Sequence, residues 1–527
     1  MSKRKILTGI FSILLALAIV LSAQILKFYD KGSLNIGKYM HFNLRTFIIV
    51  VIFSVIFYIL FRKIFIKLTN ISFITSTSPW NSKKVFIIST LLIFLSGLLF
   101  LLYCYPGVAM VDSYQLLIDP IGYSFQYPLV YSILSSKLFN LFYNLFGSMN
   151  IAFFIISLLQ LIILSFILGY TIKWLHNKFK SNKVTLLTIL YFNFFFIFSN
   201  LNIAHLRDSF FCVFFIVFIT IIYDIIDSKG EYLNKDNFII KFILTITCLL
   251  LSRNNGIFII SVMIIYFFIK FYKYYKRLLI ILFVFIFISC VPKLLPNNSE
   301  NTLFQESVAV PFQQIVYSIK YGNVSIEDQE VISEIIPVEI AKAKFSGFDF
   351  DRLKWGLMFN NFVLNEKKNK FIHVWLKNMI PNFKLYTKAF LVNNCDLWAF
   401  LPFKYSQGTI LQLHEKDIVG YQFYSDLNNE RILPKFIYNI LHFIYQKYCF
   451  YFNNGFLFWM YFFLVVVLIY KNKKKFLSVF LPFFLIWINL IFMSPYACAF
   501  RYMAMFGYCL PFILCIVFYK KIDCNIE

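Results

Sequence analysis

The sequence predicts an all-α polytopic membrane protein of about 12 transmembrane helices with a mostly helical extracytoplasmic domain, and three observations lead there. Of its 527 residues 60% are hydrophobic and 21% aromatic but only 14% charged, with a mean hydropathy of +0.73, a balance that no soluble domain of this size shows. Apolar runs near the length that crosses a ~30 Å hydrocarbon layer recur along the chain. Short basic segments separate them.

The first run, Ile6 to Leu26, follows Ser2-Lys3-Arg4-Lys5. It is long for the apolar core of a secretory signal and lacks a small-x-small cleavage site, so it reads as an uncleaved signal anchor. The next runs are Thr46 to Leu60, Val85 to Leu102, Asn150 to Ile172, Val184 to Phe198, Ser209 to Ile226 and Phe238 to Leu251. Ile257 to Ile269, Leu278 to Pro292, Gly455 to Tyr470, Phe476 to Met493 and Met503 to Tyr519 complete the set. Basic clusters fall at Lys3 to Lys5, Arg62 to Lys67, Lys173 to Lys183, Lys270 to Arg277, Lys471 to Lys475 and Lys520 with Lys521. Alternation puts every cluster on one side, which the positive-inside rule assigns to the cytoplasm together with both termini. The localisation expected is the cytoplasmic membrane.

Around LLLSRNNGIF two short runs could fuse into one helix. Fusion would send KNKKK to the outside and leave Arg253 in mid-bilayer, at a cost of at least ~2.5 kcal/mol. Asn-Asn-Gly is good turn chemistry, so a hairpin is expected. The organisation is then two N-terminal helices (1–68), a transmembrane core (84–293) whose first outer loop is 103–149, a polar extracytoplasmic domain (294–454), and three closing helices with a short tail (455–527). The polar segment is too long for an unstructured connection. Within it, Ser325 with Asp328 three residues on reads as a helix start.

A net charge of +25 would suggest nucleic acid in a soluble protein, but here Lys and Arg flank the spans, so no nucleic-acid partner is expected. The ten Cys lie mostly within apolar runs and form no C-x-x-C, so neither a zinc site nor a disulfide framework is indicated. Cys395 and Cys449 are the one pair in the polar segment placed to bridge.

The predicted outer face gathers most of the polar constellations. Asp112 lies in YPGVAMVDSYQ, a few residues beyond a run without ionisable groups. His205, Arg207 and Asp208 lie in NIAHLRDSF, Arg253 with Asn254 and Asn255 in LSRNNG, and Arg501 with Tyr502 in AFRYM. No charge falls in the middle of a proposed span, where a transporter or proton pump would more often place one. Guanidinium forks suit a phosphate and a carboxylate suits proton removal from a hydroxyl. Each residue also has a plainer reading. Asp112 fits a helix cap as well as a base, Arg253 and Arg501 fit anchors on lipid headgroups, Asp208 fits a partner for Arg207, and His205 fits a hydrogen-bonded rim histidine. Their occurrence together on one face says more than any one of them.

YPGVAMVDSYQ, then QYPLVYSIL, LRDSFF, LSRNNGIF, ESVAVPFQQIV and FRYM, in that order, resemble bacterial membrane proteins of the GT-C type, and among them an uncharacterised branch common in Gram-positive bacteria. That group is similar to the protein O-mannosyltransferases and related enzymes that use polyprenyl-phosphate sugars. The resemblance runs from about Val85 to Tyr519. It implies a GT-C-like fold, with Asp112 at the position of the general base, interfacial helices over Ser113 to Gln115 and Leu129 to Phe146, and further polar motifs at Arg207-Asp208 and Arg253. Gln313 and Gln314 would lie in the extracytoplasmic domain. A His-Pro pair common after the first loop is Tyr127-Pro128 here, so the hydrogen bond of that His is not carried over.

The function expected is extracytoplasmic transfer of a sugar from a polyprenyl-phosphate donor to an envelope glycan, glycolipid or protein acceptor. Asp112 would act as general base in an inverting displacement, and Arg253 and Arg501 would hold the donor phosphate. Arg207, Asp208, Gln115, Asn255, Gln313, Gln314 and Tyr502 would position substrate. No metal ligand set is assigned and no cofactor is required, although the resemblance allows a divalent cation near Asp112. Two other classes fit the same residues: a carrier or flippase for a lipid-linked glycan, and a non-catalytic envelope-assembly protein.

Overall fold

The computed structural model describes residues 3–29, 43–73, 75–76, 79–109, 111–121, 128–194, 201–294, 303–347, 349–401, 431–448, 453–493 and 500–519. Among them every regular element is helical, and no strand forms beyond two isolated bridges, Phe73 with Tyr519 and Val108 with Ala204. Within the described residues, a helix underlies each apolar run of the sequence: Lys3–Tyr29, Leu44–Thr69, Ser82–Tyr103, Met149–Phe179, Asn182–Phe194, Arg207–Asp227, Asp236–Ser252, Asn255–Lys270, Tyr275–Cys290, Asn454–Tyr470, Leu481–Met493 and Ala504–Phe518.

Among the described residues six helical stretches are long and apolar enough to cross a bilayer, or seven if Asn255–Lys270 and Tyr272–Cys290, bent by 104°, count as one span. The chain is a membrane protein. Not all of the twelve expected spans reach that helix length, Asn454–Tyr470 and Ala504–Phe518 being apolar but shorter. Arg207–Asp227 is the central helix, 83% of its apolar window being enclosed, whereas Leu44–Thr69 is peripheral with 6%. The expected turn is present: helix Asp236–Ser252 stops at Arg253, in extended conformation, and Asn255 opens the next helix.

The bundle has two chemically different ends. At one, residues from the basic clusters interlock. Lys178 pairs with Asp224 and Asp227 at 3.1 Å each, and Lys475 with Asp227 at 3.0 Å. Arg4 donates to Asn472 Oδ1 at 2.8 Å and Lys471 donates to Thr69 O at 3.0 Å. Cations here meet the carboxylates and free carbonyls that close helix C-termini.

Between the spans lies a helical domain whose core stacks Phe312 on Phe371 at 5.5 Å and packs it against Phe350 at 5.4 Å. Ser325 caps Ile326–Ile335 by accepting from Asp328 N at 3.3 Å, as the sequence predicts. Lys354 is buried, but Glu306 at 2.7 Å and Asp351 at 3.0 Å compensate it. Cys395 is buried in this domain and Cys449 lies outside the described residues.

The segment 395–401 fastens this domain to the spans. Trp459 Nε1 donates to Trp398 O and Trp487 Nε1 to Leu397 O, both at 2.8 Å. Asn453 Nδ2 donates to Leu401 O at 2.8 Å and Asn454 Nδ2 to Asp396 Oδ2 at 2.7 Å. Asp396 is fully enclosed, and burial pushes its carboxyl up to about 7. At Gly455 the first turn of Asn454–Tyr470 lies directly on the backbone of Ala399, whose C and N atoms would stand 2.8 Å from any β-carbon there. Gly455→Ala is therefore expected to force the fastener off the span, destabilising the protein by roughly 1–3 kcal/mol or more. Thermal unfolding of the purified full chain in detergent measures it, and an unchanged midpoint would contradict the contact.

Candidate functional site

The chain leaves Ser82–Tyr103 through Tyr105-Pro106, a cis bond, and Gly107. Gly107 has φ +142°, and a β-carbon there would stand 2.9 Å from both Phe153 Cε1 and Ser157 Oγ. A residue without a side chain lets the loop pass beneath Met149–Phe179. Val108 then bridges to Ala204, and Ser113 Oγ donates to His205 O at 2.9 Å. The helix that follows is Val111–Ile118, so Asp112 sits inside its first turn and is not the cap before Ser113. An acid in a first turn is favoured by the helix dipole.

Asp112 Oδ2 accepts from Arg501 Nη1 at 2.6 Å. Next along the chain, the Tyr502 ring lies 5.3 Å from the Arg501 guanidinium and 5.2 Å from that of Arg253. Arg253 Nε in turn stands 3.1 Å from Asp208 Oδ1. Five residues from four separate parts of the sequence thus form one chain, carboxylate–guanidinium–ring–guanidinium–carboxylate. It lies where Ser82–Tyr103 ends, where Arg207–Asp227 begins and at the Arg253 break.

The two ends of this chain differ. Asp112 and Arg501 keep 16% and 17% of their side-chain surface, whereas Asp208 and Arg253 keep 1% and 9%. The buried pair is coulombic: neither Asp208 oxygen meets hydrogen-bond geometry with a described residue. Arg253 also lies 5.6 Å from the Phe211 ring. The expected pairing of Asp208 with its neighbour Arg207 gives way to this one, because consecutive helix residues point in different directions. Arg207 is the half-buried first residue of Arg207–Asp227.

His205 departs from the hydrogen-bonded rim histidine of the plainer sequence reading. Its main chain is tied down and the residue is 4% exposed, with its ring between Tyr131 at 6.4 Å and Phe153 at 6.2 Å. Neither ring nitrogen has a hydrogen-bond partner among the described residues. Burial pushes the imidazole down to about 4 from its ordinary 6.5.

Other predicted residues stand elsewhere. Gln314 accepts from Trp375 Nε1 at 2.9 Å and donates to Tyr386 O at 3.2 Å, fastening helices of the helical domain, and Gln313 is fully buried on the same helix. Asn255 opens a helix next to Arg253, and Gln115 lies on Val111–Ile118 with its side chain outside the described residues. Three residues the sequence did not single out are close at hand. Tyr131 packs on His205, and Tyr103 at the end of its span pairs through its hydroxyl with His442 Nδ1 at 2.8 Å. Nothing local in the sequence marks such long-range pairs.

For a divalent cation the residues do not fit. Each carboxylate of the site faces a guanidinium, and no group of three or more His, Cys, Asp or Glu gathers among the described residues.

Two outcomes are expected. Removing one member of the Arg253–Asp208 pair, by Arg253→Gln or Asp208→Asn, strands a buried charge and costs about 3–5 kcal/mol, while the double substitution costs less than the sum. A double-mutant cycle on unfolding in detergent measures the coupling, and simple additivity would refute the pairing. For His205 the folded state holds its proton more weakly than the unfolded chain, so its contribution to stability is present above pH 6.5 and lost as pH falls towards 4. The loss is of order 3 kcal/mol, from 1.36 kcal/mol per pH unit. Asp396 works in the opposite sense over an overlapping range, since its raised carboxyl favours folding at low pH. The difference in unfolding between wild type and His205→Phe across pH 4–7 isolates the histidine, and a flat difference would contradict its burial.

No curated protein and no solved structure matches the chain. A family described as "Family of unknown function (DUF6020)" matches residues 114–432. That match takes in Arg207, Asp208 and Arg253, and ends short of Asp112 on one side and of Arg501 and Tyr502 on the other. It covers more than half of the 527 residues, and the chain belongs to this family.

Proposed function

We propose that the protein is a membrane glycosyltransferase of the GT-C type. It moves a sugar from a polyprenyl-phosphate-linked donor to a hydroxyl of a cell-envelope acceptor, on the extracytoplasmic side of the cytoplasmic membrane. The observation that carries this reading is the contact between Asp112 and Arg501, extended by Tyr502 to Arg253. It sets a carboxylate beside two guanidinium groups at the bundle end away from the interlocked basic clusters.

In the reaction the acceptor oxygen attacks the anomeric carbon while its proton passes to an Asp112 oxygen. The bond between that carbon and the phosphate oxygen breaks, its electron pair leaves with the polyprenyl phosphate, and the configuration inverts. The phosphate gains negative charge as it departs, and groups that meet this charge lower the barrier most. A guanidinium carries five N–H donors, so the bond from Arg501 to Asp112 and one to a phosphate are compatible. Arg253 is fixed by Asp208 and supplies a second positive charge across the Tyr502 ring. Asp112 holds the base close to the cation that meets the leaving group, which suits a single displacement with both events at one site.

Asp112→Asn keeps the shape and removes the basicity. In membranes supplied with labelled donor and envelope acceptor, transfer is expected to fall 10²- to 10⁴-fold. Wild-type rates in a correctly inserted variant would sink the assignment. Arg501→Lys keeps the charge but loses the fork, and it should raise KM for the donor more than for the acceptor. Movement of labelled donor across the bilayer without a new glycosidic bond would instead mark a carrier.

A further inference from the structure

His205 is held by its backbone, and its ring nitrogens are left over. His205 N donates to Val108 O at 3.4 Å and His205 O accepts from Ser113 Oγ at 2.9 Å. The flanking loop is braced by Gln160 Nε2, which donates to Asn202 O at 3.0 Å and Ala204 O at 2.6 Å, and by Tyr508 Oη, which donates to Asn202 Oδ1 at 2.7 Å. Ser209 Oγ closes the loop on Leu201 O. The imidazole is stacked at 23° on Tyr131 and meets Phe153 edge-on at 72°. So many ties on a six-residue stretch fix the ring in place, yet neither ring nitrogen bonds a described residue.

A second buried polar atom stands beside it. The Tyr131 hydroxyl has Ser135, one turn on along the same helix, as its polar neighbour, but meets no strict hydrogen-bond geometry with any described residue. Leaving such groups unpaired is costly. A neutral imidazole offers one N–H donor and one acceptor nitrogen, and a phenol offers one of each. That combination complements a group that also donates and accepts and carries no charge, which is a hydroxyl. A phosphate would be served by the arginines instead.

The place agrees with the chemistry. Ser113, next to Asp112, bonds the His205 carbonyl, and Asp208 follows His205 by three residues at the start of its helix. We propose that His205 and Tyr131 form a subsite beside Asp112 that takes a neutral hydroxyl of the acceptor. This rests on the glycosyl-transfer reading for the identity of the ligand, but the polar subsite itself stands on the geometry alone. His205 is here a substrate-binding residue and takes no proton in the reaction.

The test uses the full chain in detergent and in proteoliposomes, with His205→Phe, His205→Asn and Tyr131→Phe. Phe fills the aromatic slot without polar atoms, whereas Asn keeps a donor and an acceptor. At neutral pH His205→Phe is expected to leave the thermal midpoint unchanged or higher, because it removes unpaired buried atoms. With labelled donor and increasing envelope acceptor, KM for the acceptor should rise about tenfold, the factor set by one lost hydrogen bond of ~1.4 kcal/mol, with KM for the donor unchanged. Asn should recover part of it. A lowered midpoint in His205→Phe would overturn the subsite and make His205 a structural residue. A raised midpoint with unchanged acceptor KM would also overturn it, leaving a buried water as the only occupant. If the wild type transfers no sugar, the glycosyl-transfer reading fails on its own, and the subsite then stands only if added envelope glycan raises the thermal midpoint of the wild type more than that of His205→Phe, equal shifts overturning it.

Discussion

Everything at this end of the molecule depends on a carboxylate and a guanidinium held together where the helix ends meet. A charge there is costly to isolate from water, so each one is compensated by its neighbour: Asp208 by Arg253 and Asp112 by Arg501, with the Tyr502 ring between the two cations. The four parts of the sequence that supply these residues are thereby fixed relative to one another. Pulling out any one strands a charge, so the site and the packing of the helix ends hold each other in place.

The same principle separates the other regions. The basic end uses several of its cations on carboxylates and exposed carbonyls of helix C-termini. The helical domain neutralises its buried Lys354 with two carboxylates. It is fastened to the spans by indole and amide donors to backbone carbonyls, which need neither water nor charge. A fastener of that kind keeps its strength in an apolar setting, where every backbone group must find a partner inside the protein. It lets the domain sit over the spans as a fixed body.

Much of this was legible in the sequence. Apolar length and basic clusters mark the helices because bilayer thickness and hydration impose them residue by residue, and the Ser325 cap and the break at Arg253 follow from local backbone chemistry. The helix Leu129–Phe146 falls where the family resemblance puts it. Pairing was not legible. Asp208 beside Arg207 invites a local ion pair, yet its side chain turns inward to Arg253, and Asp112 meets a guanidinium 389 residues away. Helical direction and packing decide such contacts, and neither is written in the neighbouring residues. Gln313 and Gln314 lie in the helical domain, where the motif order puts them, and Gln314 hydrogen-bonds across helices, a contact that a motif alone does not distinguish from contact with a ligand.

Exposure along the charged chain then divides the labour. It rises from 1% at Asp208 and 9% at Arg253 to 17% at Arg501 and 16% at Asp112. The inner pair is sealed, and each of its charges is answered by the other, so it holds position. The outer pair has surface left to meet one. Tyr502 joins the two regimes: its ring fixes the spacing of the cations without taking either charge. A reactive carboxylate placed in this way is positioned by groups that take no part in its chemistry, and its own partner, Arg501, is the one positive charge that can turn from holding the carboxylate to meeting an anion beside it.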